Sequence, residues 1–346
     1  MKKVLTMAVA ALIAVAAWPQ KRVAVYAVGF YNLENLFDTC HDSGKNDHQF
    51  LPGGDYKWNA MKYAAKLRNM SRALADMGTD VLPAIGCAAI GVSEVENSRV
   101  LDDLTAQPPL KARGYKYAHV EGPDKRGVDC ALLYNPALLS VERVSLPPYV
   151  PELEKDSGYV TRGFLTVEGR MAGDEVAIIV CHWPSRFAGS FYRESAARQV
   201  RALKDSLLAA RPGVKVMVMG DMNDDPTNRS MNDCLGAKAE PGEVADGEMY
   251  NPWYNILAKE GRGTLMYNGA WNLFDQIVLS PSLVAREGDG CPTLKFWKNQ
   301  IVKRDYLMQK EGKYKGSPKR TTAGGVWLNG FSDHLPVVVY LKKEMK

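Results

Sequence analysis

The sequence has no CxxC pair, and its six cysteines are spread widely over 346 residues. Closely spaced cysteine pairs are the usual mark of a structural zinc site, so zinc ligation by these thiols is not expected. A chain of this size does not need disulfides to fold, although an even cysteine count in an exported protein permits them. We expect Cys87, Cys130 and Cys181, which lie in or beside apolar runs, to be small buried hydrophobic side chains.

Long apolar runs are also missing after the first twenty residues. The opening MKKVLTMAVAALIAVAAWPQ places Lys2 and Lys3 before an apolar run over 4–17. Such a run is short for a membrane span and typical of a secretory signal peptide, which we assign to residues 1–19. No cysteine follows closely, which argues against a lipoprotein anchor. The mature chain is therefore expected to be exported, periplasmic or secreted, and without a transmembrane segment.

No internal repeat, low-complexity linker or break in composition divides the rest of the chain. One domain over residues 22–344, present as a monomer, is the simplest organisation. The formal net charge is +5, and it falls by two if Lys2 and Lys3 are removed with the signal peptide. Such a mild positive charge is compatible with an anionic substrate without requiring one.

Hydrophobic periodicity predicts many strands and a few helices. Apolar residues at helical spacing from Tyr63 to Met77 predict a long amphipathic helix that ends at Gly78. A second long helix is expected around 196–207, with shorter ones at 99–104 and 251–259. Strands are expected at 23–33, 81–95, 128–134, 215–219, 264–267 and 274–279, with a hairpin formed by 159–167 and 175–180 and a loop at 302–325.

Six of the strand-like runs end or begin in polar residues that a hydrophobic core disfavours. These residues are Asn32, Glu94, His182, Asp221 with Asn223, Asp275, and Asp333 with His334. Carboxylates and an amide suit a hard divalent cation such as Mg²⁺ or Mn²⁺, and histidines suit proton transfer near neutral pH. A metal that neutralises phosphoryl oxygens and a base that takes a proton from water are what phosphodiester hydrolysis requires.

Each of these positions also has a purely structural explanation. Asn32 and Asp333 are typical of turn caps, and Glu94 of an exposed acid before a helix. His182 before Trp-Pro is typical of a turn histidine, and Asp221 of a tight turn in GDMNDDP. Because all of these residues stand beside strands, their joint occurrence favours one shared site.

The segments YNLENLFD, SEVEN, RGVDCALLY, CHWPSR, GDMNDDP, FDQIVLS and SDHLPVVVY resemble the motifs of the endonuclease/exonuclease/phosphatase family, the DNase I-like hydrolases. The resemblance covers residues 23–343, in the family's motif order, and the ENLFD opening resembles exported bacterial nuclease-like members. It implies an α/β four-layer sandwich in which two packed, mixed, mostly antiparallel β-sheets are flanked by helices. The site would lie at one edge of the sheets.

The resemblance also implies a metal site and substrate contacts. Asn32 and Glu94 would hold the principal Mg²⁺, with Asp333 as a further ligand; Mn²⁺ and Ca²⁺ are alternative ions. We expect Arg126 and Arg186 to contact an anionic substrate, the alternative being that both are surface arginines.

The catalytic groups follow from the same resemblance. His334 would be the general base, oriented by Asp275 as in other Asp–His pairs. Asp221 and Asn223 would position the water and the scissile phosphate. His182 would contact phosphate or act as a general acid.

Two features remain open at this point. Trp183 would either stack against a base or support its loop, and we favour support. His41, Asp42, Asp47 and His48 form a small cluster in the loop after the first strand. A second metal site is one interpretation of this cluster, and a solvated loop is the simpler one.

We therefore hypothesise an exported Mg²⁺-dependent phosphodiesterase, a nuclease acting on DNA or RNA. Lysines and arginines in 111–125 and 295–319 would supply a basic groove, although acids are interspersed. The alternatives are a phosphomonoesterase, a sphingomyelinase-like phospholipid phosphodiesterase with 187–192 as its apolar contact, and a non-catalytic binding protein on the same scaffold. The presence of Glu94, Asp221 and His334 argues against the last.

Overall fold

The computed structural model describes residues 22–285 and 290–345. The predicted signal peptide, residues 1–19, lies outside the described residues and stays a prediction. Among the residues described, no helix combines the length and the apolar character that a membrane crossing requires.

The described chain alternates strands with a few helices, as the apolar periodicity predicts. The helices are α1 (Ala60–Asp76), α2 (Ser98–Thr105), α3 (Pro108–Lys111), α4 (Ser190–Ala210) and α5 (Tyr254–Ala258). The strands are β1 (Val23–Leu36), β2 (Ala89–Val95), β3 (Lys116–His119), β4 (Asp129–Tyr134), β5 (Leu139–Ser145), β6 (Leu165–Met171), β7 (Asp174–His182), β8 (Lys215–Asp221), β9 (Ala237–Lys238), β10 (Met249–Tyr250), β11 (Leu265–Tyr267), β12 (Ala270–Asn272), β13 (Asp275–Leu279), β14 (Lys295–Ile301), β15 (Thr322–Ala323), β16 (Val326–Trp327) and β17 (Val337–Glu344).

Two large sheets contain most of these strands. The first has the order β14-β17-β1-β2-β4-β3, and the second has the order β5-β6-β7-β8-β13-β10-β9. Only the pairs β1/β2, β7/β8 and β9/β10 are parallel among the described strands of the two sheets. The central strands β1 and β8 are buried along most of their length, which explains their nearly continuous apolar sequence.

The sheets pack face to face, with helices on their outer surfaces. Strand β2 contacts β7 and β8, while α1 packs on β1 and α4 on β8. Gly91 on β2 packs closely against the second sheet, because a Cβ atom there would lie 2.5 Å from the Met219 Sδ. The expected four-layer α/β sandwich of two mixed, mostly antiparallel sheets is confirmed.

Local sequence explains where several elements start and stop. The Asn59 side chain accepts the Lys62 backbone N–H at the start of α1, and Gly78 takes a φ of +78° just after its end. Ala172 and Gly173, both with positive φ, form the tight turn of the β6–β7 hairpin. Cys87, Cys130 and Cys181 are buried free thiols, as expected.

Three predicted elements differ from the structure. Residues 81–88 form turns, and β2 begins only at Ala89. Residues 159–164 form a loop rather than the first part of β6. The segment 302–325, expected to be a loop, contains a 3-10 turn at Asp305–Leu307 and the strand β15.

Candidate active site

Strand direction brings the polar end residues to one edge of both sheets. Asn32 and Glu94 lie near the ends of the parallel strands β1 and β2, and His182 and Asp221 end the parallel strands β7 and β8. Asp275 begins β13, which is antiparallel to β8, so it lies opposite Asp221. The sequence-predicted residues therefore converge because their strands share an edge.

Asn32 joins the two sheets directly. Its Nδ2 donates to the Asp221 Oδ2 at 2.9 Å and to the Glu94 Oε1 at 3.4 Å. Its Oδ1 accepts the Glu34 backbone N–H at 2.9 Å. The side chain is almost completely buried, so these bonds fix the carboxylates of both sheets relative to each other.

A β-bulge directs the Glu94 carboxylate into the site. The pairing of β2 with β4 shifts in register between Ser93 and Val95, so Glu94 is the extra residue. Its φ of +60° is unusual for a side chain other than glycine. The Glu94 Oε2 accepts the Asn35 backbone N–H at 2.9 Å, which holds the carboxylate in place. Strain of this kind, held by surrounding contacts, is a frequent property of active sites.

His334, which precedes β17, pairs with Asp275 across the sheets. Its Nδ1 donates to the Asp275 Oδ2 at 2.7 Å, and the same oxygen accepts the Thr264 hydroxyl. Its Nε2 lies 3.7 Å from the Asp221 Oδ2 and 3.9 Å from the Asp333 Oδ1. Burial opposes the imidazolium, but the carboxylates of Asp275 and Asp221 outweigh it and hold the pKa of His334 well above its usual range.

His182 has the opposite electrostatic environment. Its Nε2 lies 3.7 Å from both the Glu94 Oε1 and the Asp221 Oδ2. Burial, reinforced by Arg162 and Arg126, holds the pKa of His182 well below its usual range. Its Nδ1 is buried and has no hydrogen-bond partner among the described residues.

Asp221 lies between the two histidines. Burial raises its pKa to about 6, despite the His334 imidazole and the Asn223 backbone N–H bond, which lower it. Asn223, with a φ of +50°, also donates its Nδ2 to the Trp183 carbonyl at 2.9 Å. The turn after β8 is therefore fixed by the same residues that line the site.

Arg162 is a contributor that the sequence reasoning missed. This partly buried arginine donates to the His182 and Trp183 carbonyls at 3.1 and 2.8 Å and to the Asp124 Oδ2 at 3.2 Å. It thereby links the loop after β7 to the loop before β4. Trp183 is buried within the second sheet's core, as the preference for loop support predicted.

The two predicted substrate arginines differ in their surroundings. Arg126 is half exposed, with its Nε 3.8 Å from the Asp124 Oδ1. Arg186 donates to the Asn223 carbonyl at 3.1 Å and to the Asp225 carboxylate at 2.9 Å, and it lies over the Phe274 ring. The substrate role of each stays a prediction.

A second network, also missed from the sequence, supports Asp333. Arg320 donates its Nε to the Glu34 Oε1 at 3.1 Å and its Nη2 to the Asp333 Oδ2 at 3.0 Å. Lys66, fully buried on α1, donates to the Thr321 hydroxyl and to the Phe331 carbonyl. Burial raises the pKa of Glu34 to about 7 and lowers that of Lys66 to about 8.

The donor set fits a hard divalent cation. Glu94 and Asp221 supply carboxylates that both accept from the Asn32 Nδ2, and ligand atoms of Asp221, Asp275 and His334 lie within 4.8 Å of each other. The Asp275 Oδ1 is buried without a partner among the residues described. Oxygen donors of this kind favour Mg²⁺, Mn²⁺ or Ca²⁺ over softer metals.

The histidine cluster of the first loop is separate. The rings of His41 and His48 stack with centroids 4.5 Å apart, and His41 bonds the buried Asp47 carboxylate. The ligand atoms of these three residues lie within 4.8 Å of one another. The second-metal interpretation therefore stays open.

Residues 27–343 match the sequence profile of the Endonuclease/Exonuclease/phosphatase family, and the chain belongs to this family. Members of the family are typically dependent on divalent metals, and membership supports a phosphoric ester hydrolase activity. No curated protein matches the chain at a significant level.

Several solved structures have the same fold. A mannosyl-6-phosphatase from Bacteroides thetaiotaomicron is 16% identical, with a TM-score of 0.55 over 91% of this chain and 99% of its own. TDP2 of D. rerio, solved with a single strand DNA product, is 13% identical, with a TM-score of 0.55 over 92% and 99%. ANGEL2, a 2',3'-cyclic phosphatase, is 13% identical, with a TM-score of 0.58 over 95% and 100%. At these identities the likeness concerns the fold.

Proposed function

We propose that the chain is an exported, Mg²⁺-dependent phosphodiesterase that cleaves nucleic acid. The observation that carries the proposal is the Asp275–His334 pair. Asp275 binds the Nδ1 of His334, and the Nε2 lies 3.7 Å from the Asp221 Oδ2. Asn32 and Glu94 meet at the same edge of the sheets. A positioned imidazole beside an oxygen-rich donor set suits attack on a phosphoryl group. Export rests on the signal-like residues 1–19.

In this proposal Glu94 and Asn32 would hold the ion, with Asp333 as a further ligand. Asn32 would bind through its Oδ1, which accepts the Glu34 backbone N–H in this structure. Bound there, the ion would supply positive charge to the phosphoryl oxygens and screen the carboxylates that raise the pKa of His334. Glu94 is prepared for this role by its bulge and by the Asn35 N–H bond, which leave its Oε1 facing the site.

His334 is the proposed general base. Asp275 accepts from Nδ1 and so leaves Nε2 as the nitrogen that takes a proton from the attacking water. Thr264, held by the same carboxylate, prevents Asp275 from rotating away.

The remaining residues bind and orient the substrate. Asp221 and Asn223 position the water and the scissile phosphate. The low pKa of His182 keeps its imidazole neutral, which favours contact with phosphate over the alternative role of general acid. Arg126 and Arg186 stand at the exposed side of this group and would contact an anionic substrate.

The proposal is tested by supplying several ester classes to the purified protein. Plasmid DNA, RNA, bis-p-nitrophenyl phosphate, p-nitrophenyl phosphate and sphingomyelin are each incubated with Mg²⁺ or with EDTA. We expect Mg²⁺-dependent cleavage of the nucleic acids and of the diester. Preferential hydrolysis of the monoester would favour a phosphomonoesterase, and hydrolysis of sphingomyelin alone a phospholipid phosphodiesterase; either result overturns the nuclease assignment.

Variants assign the reaction to this site. His334→Ala should lower turnover by at least about a hundredfold, the usual scale for losing a proton-transfer group. Glu94→Ala, which removes a proposed ligand of the ion, should lower turnover by a similar factor. His119→Ala is the matched control, because His119 also pairs with a buried carboxylate, Asp129, at 3.1 Å. The control should retain turnover close to that of the wild type. Near-normal turnover in His334→Ala would show that another group is the base.

A further inference from the structure

A large cleft opens beside Asp333, and the proposed mechanism does not use it. Its volume is about 840 Å³, within the range of about 300–1,000 Å³ typical of ligand sites. One wall is the hairpin of β11 and β12, and the other is the segment 309–328. Asp333 and Arg320 line the cleft where it meets the site.

Both walls are anchored to catalytic residues. Leu265 of β11 forms an isolated β-bridge with His334, and its neighbour Thr264 bonds the Asp275 carboxylate. On the other side, Arg320 bonds Asp333, whose Oδ1 lies 3.9 Å from the His334 Nε2. The cleft therefore adjoins the proposed site through Asp333, which lines it and lies beside the His334 Nε2.

The lining combines aromatic and cationic side chains with two carboxylates, and the cations outnumber the carboxylates by three to two. Tyr267 on the hairpin is 69% exposed, and Tyr314 on the facing segment is 56% exposed. Lys313 and Lys315 lie beside Tyr314, and the Lys313 Nζ is 5.6 Å from the centre of that ring. Aromatic faces beside positive charges are the usual means of binding an unstacked base and its phosphate.

Arg320 is prepared to bind an anion. Its Nε and Nη2 are held by Glu34 and Asp333, while its Nη1 has no hydrogen-bond partner in the described part of the chain. The side chain is nearly half exposed and faces the cleft. A guanidinium fixed along one edge keeps its remaining donors oriented at little entropic cost.

We propose that this cleft binds an unstacked nucleotide of a single-stranded nucleic acid, with the base against Tyr267 and Tyr314 and a phosphate at Arg320. The inference rests on the proposed phosphodiesterase function and names its substrate class. The tyrosines would supply affinity for any base, because every base has a π face.

The test uses short single strands in which one base at a time is removed while the phosphates remain. With the wild-type protein and Mg²⁺, base removal at one or two positions near the cut should lower kcat/KM by about tenfold, the scale of one base–aromatic stack. In the Tyr267→Ala/Tyr314→Ala double variant, intact and base-free strands should be cleaved equally. Trp297→Ala is the control, since Trp297 is an exposed aromatic residue on β14 that does not line the cleft.

Binding without turnover supplies an independent readout. Fluorescence anisotropy in EDTA measures the affinity for a labelled strand without cleavage. The double tyrosine variant should bind the intact strand more weakly than the wild type does, and it should bind the base-free strand with the affinity of the wild type. Arg320→Gln should weaken the binding of intact and base-free strands equally, because both strands retain the phosphate.

The outcomes separate the two proposals. If bis-p-nitrophenyl phosphate is hydrolysed with Mg²⁺ but no base position matters, or the tyrosine variant keeps the wild-type pattern, the cleft assignment is wrong and the phosphodiesterase stands. If the tyrosines instead control hydrolysis of a hexose phosphate or of sphingomyelin, the cleft takes that other class and the nucleotide assignment is overturned. If the diester is not hydrolysed at all, the proposed function itself fails.

Discussion

At the scale of single residues, the two histidines of the site differ because of their neighbours. His334 faces Asp275, Asp221 and Asp333, whereas His182 is buried with Arg162 and Arg126 acting on it. These shifts leave His334 protonated and His182 neutral near neutral pH, so the proposed base role of His334 depends on a bound ion that screens its carboxylates. In the sequence, His182 follows one apolar run and His334 precedes another, and nothing in that pattern distinguishes their roles.

Glu94 should be a residue at which stability and function conflict. Glu94→Gly removes the carboxylate and also relieves the left-handed backbone, whereas Glu94→Ala removes the carboxylate and retains the strain. We expect the glycine variant to be more stable than the alanine variant by about 1 kcal/mol in urea unfolding with EDTA. Both should lose Mg²⁺-dependent turnover. Equal stability of the two variants would mean that the bulge is not strained.

Glu96 should make the fold less stable as pH rises. Burial raises the pKa of this carboxyl group to about 8, and the charges of Asp38, Asp42 and Asp47 add to the effect. Because the folded state retains the proton above the ordinary pKa of 4.5, stability should fall between pH 4.5 and about 8.

Glu96→Gln tests this directly. The free energy of unfolding of the Gln variant should be close to that of the wild type near pH 4.5. At pH 9 the variant should be more stable by about 1–2 kcal/mol. Urea unfolding at both pH values in EDTA measures the difference. A constant difference across this range would show that Glu96 is charged in the folded protein throughout.

At the scale of elements, the sequence predicts what each strand contributes locally. A polar residue after a buried apolar run, such as Asp221 after KVMVMG, indicates both the strand and its end. Arg320 and Glu34, in contrast, meet across 286 positions of sequence, and no local pattern marks the pair. The apolar residues in 159–164 predict a strand, but β6 begins only at Leu165. The bond from Arg162 to the His182 carbonyl holds this segment as a loop, and a contact between such distant residues leaves no local pattern in the sequence.

Helix α1 should hold the wall of the cleft in place through Lys66. Its ammonium is fully buried and bonds Thr321 and Phe331, on either side of the segment that leads to Asp333. Lys66→Met should lower the free energy of unfolding by about 2–4 kcal/mol, because it leaves the buried Thr321 and Phe331 acceptors unsatisfied and removes one of the two cations that act on Glu34. Arg68→Met, on the exposed face of the same helix, is the control and should change stability little. A loss no larger than that of the control would contradict the role of Lys66.

At the scale of the whole molecule, the site exists only where the two sheets pack together. The first sheet supplies Asn32 and Glu94, and the second supplies His182, Asp221 and Asp275. The bond from Asn32 to Asp221 and the bond from His334 to Asp275 cross from one sheet to the other. The distance between the sheets should therefore affect turnover as well as stability.

Gly91 and Met219 set that spacing close to the site. Gly91 lies three residues before Glu94, and Met219 lies two residues before Asp221. A Cβ at position 91 would lie 2.5 Å from the Met219 Sδ and 3.1 Å from the Val180 Cγ1. Gly91→Ala should therefore force the sheets apart and destabilise the protein by about 1–3 kcal/mol, the usual cost of overpacking.

The same substitution should also lower turnover, because Glu94 and Asp221 would be displaced from each other. Met219→Ala alone should leave a cavity and cost stability, but in the double variant Gly91→Ala/Met219→Ala the added methyl group fills part of that space. We expect the double variant to regain both stability and turnover relative to Gly91→Ala, so that the two substitutions are coupled rather than additive. Urea unfolding and diester hydrolysis of all four proteins measure the coupling. Additive losses in both assays would indicate that the sheets accommodate the extra carbon elsewhere and that their spacing does not control the distance between the two carboxylates.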